Sequence, residues 1–389
     1  MRRQTLTALA VAVALGGCSL GDEDTAPQLG AKAEDEEAAA KLGFPATATR
    51  NTVRVGGGDA AADAAGVASA LYPASGDADR PTAVALVDGD DWASAIAASV
   101  LAGPPIGAPI LLTDGDELPP ASRDTLEHLN PRGSDLSEDA QVIRIGPGVA
   151  RPGGFKTAVV EGDDAFERAA AIDRFFSAAR GRASGDVLLY SAESAEWAMP
   201  AAAWAARSGH AALPVERDAV PAPIRRALRA HERPDVYLLG PARQISKRVA
   251  DRLERGGLAR SVRRIEGSTP VENAIAFARY RRRGFGWGVV VPGYNFSLAS
   301  SSRPLDAAAA ASLATRGVFA PLLLTDRAAD LPEPLQRYLL SVQPGYEDDP
   351  GQAVYNRVWI LGDDKAISVR QQAQIDQVTE LIPVQVTEP

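Results

Sequence analysis

The chain has 389 residues, with 41 Lys plus Arg against 50 Asp plus Glu and a formal net charge of −9. Without Arg2 and Arg3, which sit in an N-terminal leader, the balance is 39 against 50, or −11, which argues against nucleic acid as the main partner. A single cysteine excludes an internal disulfide, no later run is apolar and long enough to span a bilayer, and roughly 370 residues beyond the leader call for more than one core.

In chain order, Met1-Arg2-Arg3 is a short positive start, followed by an apolar run from Thr5 to Leu15. That is the length of a signal-peptide core and too short to cross a membrane. It ends in Leu15-Gly16-Gly17-Cys18, which resembles the bacterial lipobox. The resemblance implies cleavage before Cys18, acylation of its thiol and amino terminus (palmitate being a usual chain), and anchorage to the outer face of the cell membrane. More than one acyl chain is needed, because one binds a membrane only marginally. Residues 18–42 then carry seven acids against Lys32 and Lys41 with almost no large apolar side chain. The segment reads as an extended tether, with room for a short helix over Ala33 to Leu42.

From residue 43 onward one pattern occurs three times. A strand ending in glycine recurs at Val53 to Gly57, Val159 to Gly162 and Arg264 to Gly267, with 105 residues between successive glycines. An apolar strand follows as Ala108 to Asp114 and Ala320 to Asp326, with a degenerate Ala211 to Glu216 between them. Each leads to a helix start marked by Pro119, Pro221 or Pro332. A closing strand ends at Gly146, Gly240 and Gly362. In the third copy, strands are expected at Val289 to Val291, Pro321 to Thr325 and Val358 to Leu361. Helices are expected at Leu305 to Thr315 and Leu331 to Val342. Short apolar strands alternating with helices predict parallel sheets buried on both faces. The three frames are 43–154, 155–265 and 266–389; Pro131 to Ala140 and Pro344 to Asn356 read as exposed insertions.

These residues give the chain a specific resemblance over nearly all of 45 to 385. It is similar to the cell wall-binding repeat type 2 family, whose pattern runs from an Arg-Ile-x-Gly strand end to a Gly-x-x-Phe-x-Asp-Ala-Leu helix start. An Ala-Pro-Ile-Leu-Leu-Thr strand and a closing glycine strand follow. Gly89 to Ile96 with Ala108 to Thr113, and Asp306 to Ala308 with Ala320 to Thr325, carry the match. The helix-start position lies 15 residues before the proline in both, as Ser94 to Pro109 and Asp306 to Pro321. The resemblance implies an α/β fold of three small Rossmann-like or toprim-like modules around a pseudo-threefold axis. It also implies noncovalent attachment to an anionic cell-wall polymer. The family's arginine after the first glycine is missing here, where Gly58-Asp59-Ala60, Gly162-Asp163-Asp164 and Ser268-Thr269-Pro270 stand. Ser94 replaces an aspartate, and the middle copy keeps only Glu196 nearby.

The frames differ in charge: 7 basic and 15 acidic residues in the first, 19 and 14 in the second, 11 and 14 in the third. A positive field for an anionic polymer is therefore expected from the middle frame or its seams. The polymer-binding candidates are Arg54, Ser94, Thr113, Arg225, Arg226, Arg229, Arg243, Lys247, Arg248, Arg264, Asp306 and Thr325; Arg252 belongs to the same helical series.

Catalytic constellations are sparse. His128, His210 and His231 have no metal-ligand spacing. Asp88-x-Asp90 and Asp114-x-Asp116 have the form of cation-binding pairs but do not recur, and read as turn or cap residues. Gly56-Gly57-Gly58 lacks the remaining features of a dinucleotide turn. The five tryptophans, Trp92, Trp197, Trp204, Trp287 and Trp359, are expected in cores or seams. No cofactor is implied. The leading expectation is a non-catalytic envelope lipoprotein linking membrane to wall polymer. The alternatives are an enzyme or small-molecule receptor using an inter-module cleft, and a structural or protein-docking component.

Overall fold

The computed structural model describes residues 46–315 and 320–384. The leader, Cys18 and the tether lie outside the described residues, and no described helix is long and apolar enough to cross a membrane.

The first frame runs β1 (Ala46–Ala48), β2 (Thr52–Val55), α1 (Ala60–Leu71), β3 (Val84–Asp88), α2 (Trp92–Ala98), β4 (Ile110–Thr113), α3 (Pro120–Leu129) and β5 (Val142–Ile145). The second runs β6 (Thr157–Val160), α4 (Ala165–Arg180), β7 (Asp186–Ser191), α5 (Ala195–Ala198), α6 (Pro200–Ser208), β8 (Ala211–Val215), α7 (Ala222–Ala230), β9 (Asp235–Leu239), α8 (Lys247–Arg255) and β10 (Ser261–Ile265). The third opens with α9 (Pro270–Arg279), β11 (Asn295–Ser300), α10 (Asp306–Thr315), β12 (Leu322–Thr325) and α11 (Glu333–Ser341). It closes with β13 (Gly345–Tyr346), β14 (Arg357–Leu361), α12 (Val369–Val378) and β15 (Ile382–Pro383).

Three larger sheets result, in the orders β4-β3-β5-β6, β8-β7-β9-β10 and β12-β11-β14-β2, with β1 antiparallel on the outer edge of β2, and β13 pairs with β15 in a small separate one. All other neighbours within these three sheets are parallel. β3, β4, β8 and β12 are buried along nearly their whole length, as parallel strands covered on both faces should be.

Sheet and repeat are out of phase by one strand. The glycine-ending strand of each repeat joins the sheet of the preceding repeat: β6 completes the first, β10 the second and β2, with β1 outside it, the third. Because β2 pairs with β14, the first strand closes the ring against the last frame. Side chains reinforce that closure. Asn51 donates its backbone N–H to Asp376 (2.7 Å), and Gln372 Nε2 donates to Thr52 Oγ1 (2.9 Å).

The helix after the first central strand of each frame is rich in alanine, and the three meet. α10 packs against α6 and against the 3-10 turn Ser99–Ala102 that continues α2, and this turn packs against α6. Ala307 to Ala311 are essentially inaccessible; methyl-sized side chains let helix backbones approach closely. At Gly103 a Cβ would collide with the Ala206 carbonyl, so the turn seats on α6 only with glycine there.

One strand falls elsewhere than the sequence suggests. Val289 to Val291 is a connection, with Val290 and Val291 each more than half exposed, and the strand is Asn295–Ser300. Pro292 removes a ladder donor and Gly293 turns the chain with φ +100°. The true strand was masked by polar residues, Asn295, Ser297 and Ser300, buried or half-buried in the sheet.

Candidate functional site: the seams and the basic middle module

Each frame meets the next where strands end, and three repeat positions converge there. One lies six residues after the first glycine: Asp63, Arg168 and Asn273. The second is the helix-start position: Ser94, Met199 and Asp306. The third precedes it by three: Asp91, Glu196 and Arg303.

Between frames three and one, Asp63 and Asp306 are both fully buried. Arg303 spans them, its Nη2 on Asp63 and its Nε on Asp306 at 2.9 Å. Asp63 Oδ1 also accepts the Gly57 N–H at 2.5 Å. Burial, and then the adjacent Asp306 carboxyl, push the Asp63 carboxyl up to about 9 despite Arg303 and the Gly57 N–H. Burial raises Asp306 as well. Two carboxyls and one guanidinium out of water balance when one proton is shared.

Between frames one and two the polarity is reversed. Arg168 on α4 reaches Asp91 Oδ2 with Nη2 (2.7 Å) and Nε (2.8 Å), and Ser94 Oγ with Nε (3.0 Å). The other oxygen of Asp91 caps α2 by accepting the Ser94 N–H (3.0 Å). A cavity of about 280 Å³ beside it is lined by Asp88, Asp91, Asp163 and Arg168. Between frames two and three, Asn273 Oδ1 takes the Gly267 N–H (3.3 Å) while its buried Nδ2 has no partner. Met199 is fully buried and Glu196 half-buried. Arg243 lies 4.7 Å from the Trp197 ring centroid and donates to the Ser268 carbonyl (2.5 Å).

Two arginines singled out on the strands are clamps. Buried Arg54 donates to the carbonyls of Gly362 and Asp363 (2.8 Å each) and Ile367 (2.6 Å), and to Gln372 (3.1 Å). Half-buried Arg264 donates to Gly240 and Ile245 (2.7 Å each). Each ties a glycine-ending strand to the preceding closing loop. In the first sheet, where β6 has Val159 at that position, Arg144 of β5 serves the equivalent loop through Val149 (2.8 Å). Four of the other candidates are buried: Ser94, Thr113, Asp306 and Thr325. Thr325 is held by the Arg327 carbonyl and Gln371, and the Thr113 hydroxyl has no partner.

The exposed candidates lie on the middle frame. Arg226 and Arg229 on α7, and Lys247, Arg248 and Arg252 on α8, face water with no ion pair; Arg225 is half-buried and donates to Val220 (2.5 Å). A groove of about 930 Å³ lies between α4 and α7, lined by Arg174, Arg182 and Arg226 and by Glu161, Asp163 and Glu167. His231 and Asp173 line it, paired at 2.9 Å. Burial opposes protonation of His231, but the Asp173 carboxylate and the Ser184 carbonyl hold its pKa above the usual histidine range. Sequence spacing alone, 58 residues apart, offered no signal for this pair. Among the described residues no three His, Cys, Asp or Glu side chains are grouped for a metal.

Residues 264–371 match the family model of cell wall binding domain 2 (CWB2). The matched span begins at the clamp Arg264 and includes Arg303, Asp306 and Thr325. Among solved structures, Cwp8 from Clostridium difficile is similar with a TM-score of 0.63 and 19% identity, over 89% of this chain and 54% of that one. Cwp6 from Clostridium difficile is similar with a TM-score of 0.68 and 18% identity, over 85% of this chain and 48% of that one. The chain thus spans about half the length of each, and at these identities the likeness shows the fold. No curated protein matches. The CWB2 match supports a cell-wall-associated, surface role.

Proposed function

We propose that the chain is a non-catalytic, lipid-anchored envelope protein whose three CWB2-like frames bind an anionic wall polymer and so link membrane to wall. The observation that carries the reading is the set of exposed, unpaired cations on α7 and α8, in a fold whose third frame matches CWB2. The arginines of the two charged seams are held by seam carboxylates, so the outer helices of the middle module supply the positive field. Acylated Cys18 holds one end at the membrane, and the acidic tether sets the distance to the wall.

Cosedimentation of residues 43–389 with purified walls tests this. Pelleting is expected with intact walls, decreasing as salt screens the contacts, and lost when anionic polymers are stripped. Absence of pelleting, or pelleting indifferent to stripping, would contradict it. Separately, Cys18→Ala is expected to move the full chain from the membrane fraction to the soluble one; retention on membranes would count against the lipid anchor.

A further inference from the structure

Two long connections of the third frame, residues 280–294 before β11 and residues 342–356 before β14, meet at the N-terminal ends of the third sheet. This is the opposite end from the seams. Two cavities open there, about 620 Å³ and 390 Å³, and Asn295 lines both, so they adjoin. Arg207, Arg281, Trp287 and Tyr294 line the first; Arg50, Tyr355, Arg357 and Trp359 line the second. No Asp or Glu lines either cavity. Arg50 is paired with Glu380, whereas Arg281 and Arg357 are exposed and carry no ion pair among the described residues.

The walls are held in place before any ligand arrives. Val289 is fixed from both sides, its N–H on the Ala278 carbonyl (2.9 Å) and its carbonyl under Tyr338 Oη (3.1 Å). Phe285 stacks on Tyr237 with centroids 3.5 Å apart. At Gly286 a Cβ would strike the Tyr280 carbonyl, and φ is +93°, so the loop passes there only as glycine. Buried Asn356 joins the two connections. Its Oδ1 accepts the N–H groups of Gly293 (2.9 Å) and Tyr294 (3.1 Å), and its Nδ2 donates to Val342 (2.6 Å).

Inside this fixed frame, donors are left over. Trp204, which lines the first cavity, and Trp359, which lines the second, each have a buried indole N–H with no acceptor. An indole N–H can only donate, and buried donors without partners are rare enough to need a cause. Tyr294 and Tyr355 present 37% and 56% of their surface to water, beside exposed Val290, Val291 and Val354. Aromatic faces next to the guanidinium groups of Arg281 and Arg357, with no carboxylate in the lining, suit a ligand made of flat apolar ring faces, acceptor oxygens and negative charge.

We infer that this groove binds an acidic oligosaccharide, its sugar rings against Trp287, Tyr294 and Tyr355 and its carboxylates on Arg281 and Arg357. The inference extends the wall-polymer reading, and it rests on residues separate from those of α7 and α8.

The test is a titration of the purified chain with three probes: a galacturonate tetramer (rings and charge), maltotetraose (rings alone) and linear polyphosphate (charge alone). Tryptophan fluorescence and calorimetry read binding. Saturable binding of the uronate is expected, with each of the other probes roughly tenfold weaker or worse. Arg281→Ala combined with Arg357→Ala alters exposed side chains only and is expected to weaken uronate binding by roughly tenfold at an unchanged melting temperature. Trp287→Phe should weaken it less. Absence of uronate binding, equal binding of maltotetraose or polyphosphate, or full binding by the folded double variant would each overturn the inference. Uronate binding without wall pelleting would sink only the wall-link proposal. Wall pelleting without uronate binding would sink only this one.

Discussion

The seam between frames three and one and the seam between frames one and two use the same backbone seats with opposite charges. At the first, the incoming helix brings an acid, Asp63, and the capping turn brings Arg303. At the second, the helix brings Arg168 and the turn brings Asp91. The seat selects for a complementary pair and is indifferent to its direction. The difference lies in the third partner: neutral Ser94 leaves the second seam balanced, while Asp306 gives the first a surplus acid that is carried as a shared proton. At the remaining seam, Glu196, Met199 and Asn273 make no ion pair. Ring integrity therefore rests mainly on packing of the alanine-rich helices and on strand exchange.

Ways to break this comparison rank by the charge each leaves stranded. Arg303→Ala strands two inaccessible carboxyls and is expected to cost about 3–5 kcal/mol, read by chemical denaturation. Arg168→Ala leaves Asp91 half-exposed and still capping α2, so its cost should be about 1–2 kcal/mol. Equal costs would refute the distinction between the seams.

Asp63→Asn sharpens the comparison through pH. The Asp63 carboxyl is raised in the folded chain from 3.8 to about 9, so the folded state holds a proton that the unfolded state releases. Its contribution is fully present below about pH 4 and is lost as pH rises towards 9. Asparagine can accept the Gly57 N–H without ionising, as Asn273 already accepts from Gly267 in the third frame, but its amide nitrogen then faces the Arg303 Nη2 donor that the Asp63 carboxyl accepts. The variant lacks this titration, so its melting temperature should fall less than the parent's between pH 4 and pH 8. An equal fall in both would contradict the shared proton. Glu196→Ala, at the uncharged seam, should stay within about 0.5 kcal/mol of the parent.

Much of the fold was legible because the repeat is periodic. Glycine landmarks, buried apolar strands and proline helix starts all recur at fixed spacing and predict parallel α/β units. The phase shift between repeat and sheet was not legible, since nothing local in Val53-Arg54-Val55 says which strand it will pair with. The site was less legible still. Arg54 and Arg264 look like surface ligands until their donors are seen to end on loop carbonyls. The seam wiring was not legible because its partners, Asp63 with Arg303 and Arg168 with Asp91, lie far apart in the chain and reverse their charges between copies. Trp287 and Trp359 pack against the core, as their apolar surroundings in the sequence suggest, and each also lines an open cavity, which the sequence does not show.

The central claim is that the seams lock the ring while exposed cations of the middle frame hold the wall. Its most direct test is pelleting with intact walls of two variants that retain the parent's fold: Arg168→Ala, and Arg226→Ala, Arg229→Ala, Lys247→Ala and Arg248→Ala combined. The account predicts that the seam variant pellets like the parent and that the fourfold variant stays in the supernatant. The reverse outcome, with binding lost at the seam and kept without the four cations, would contradict it.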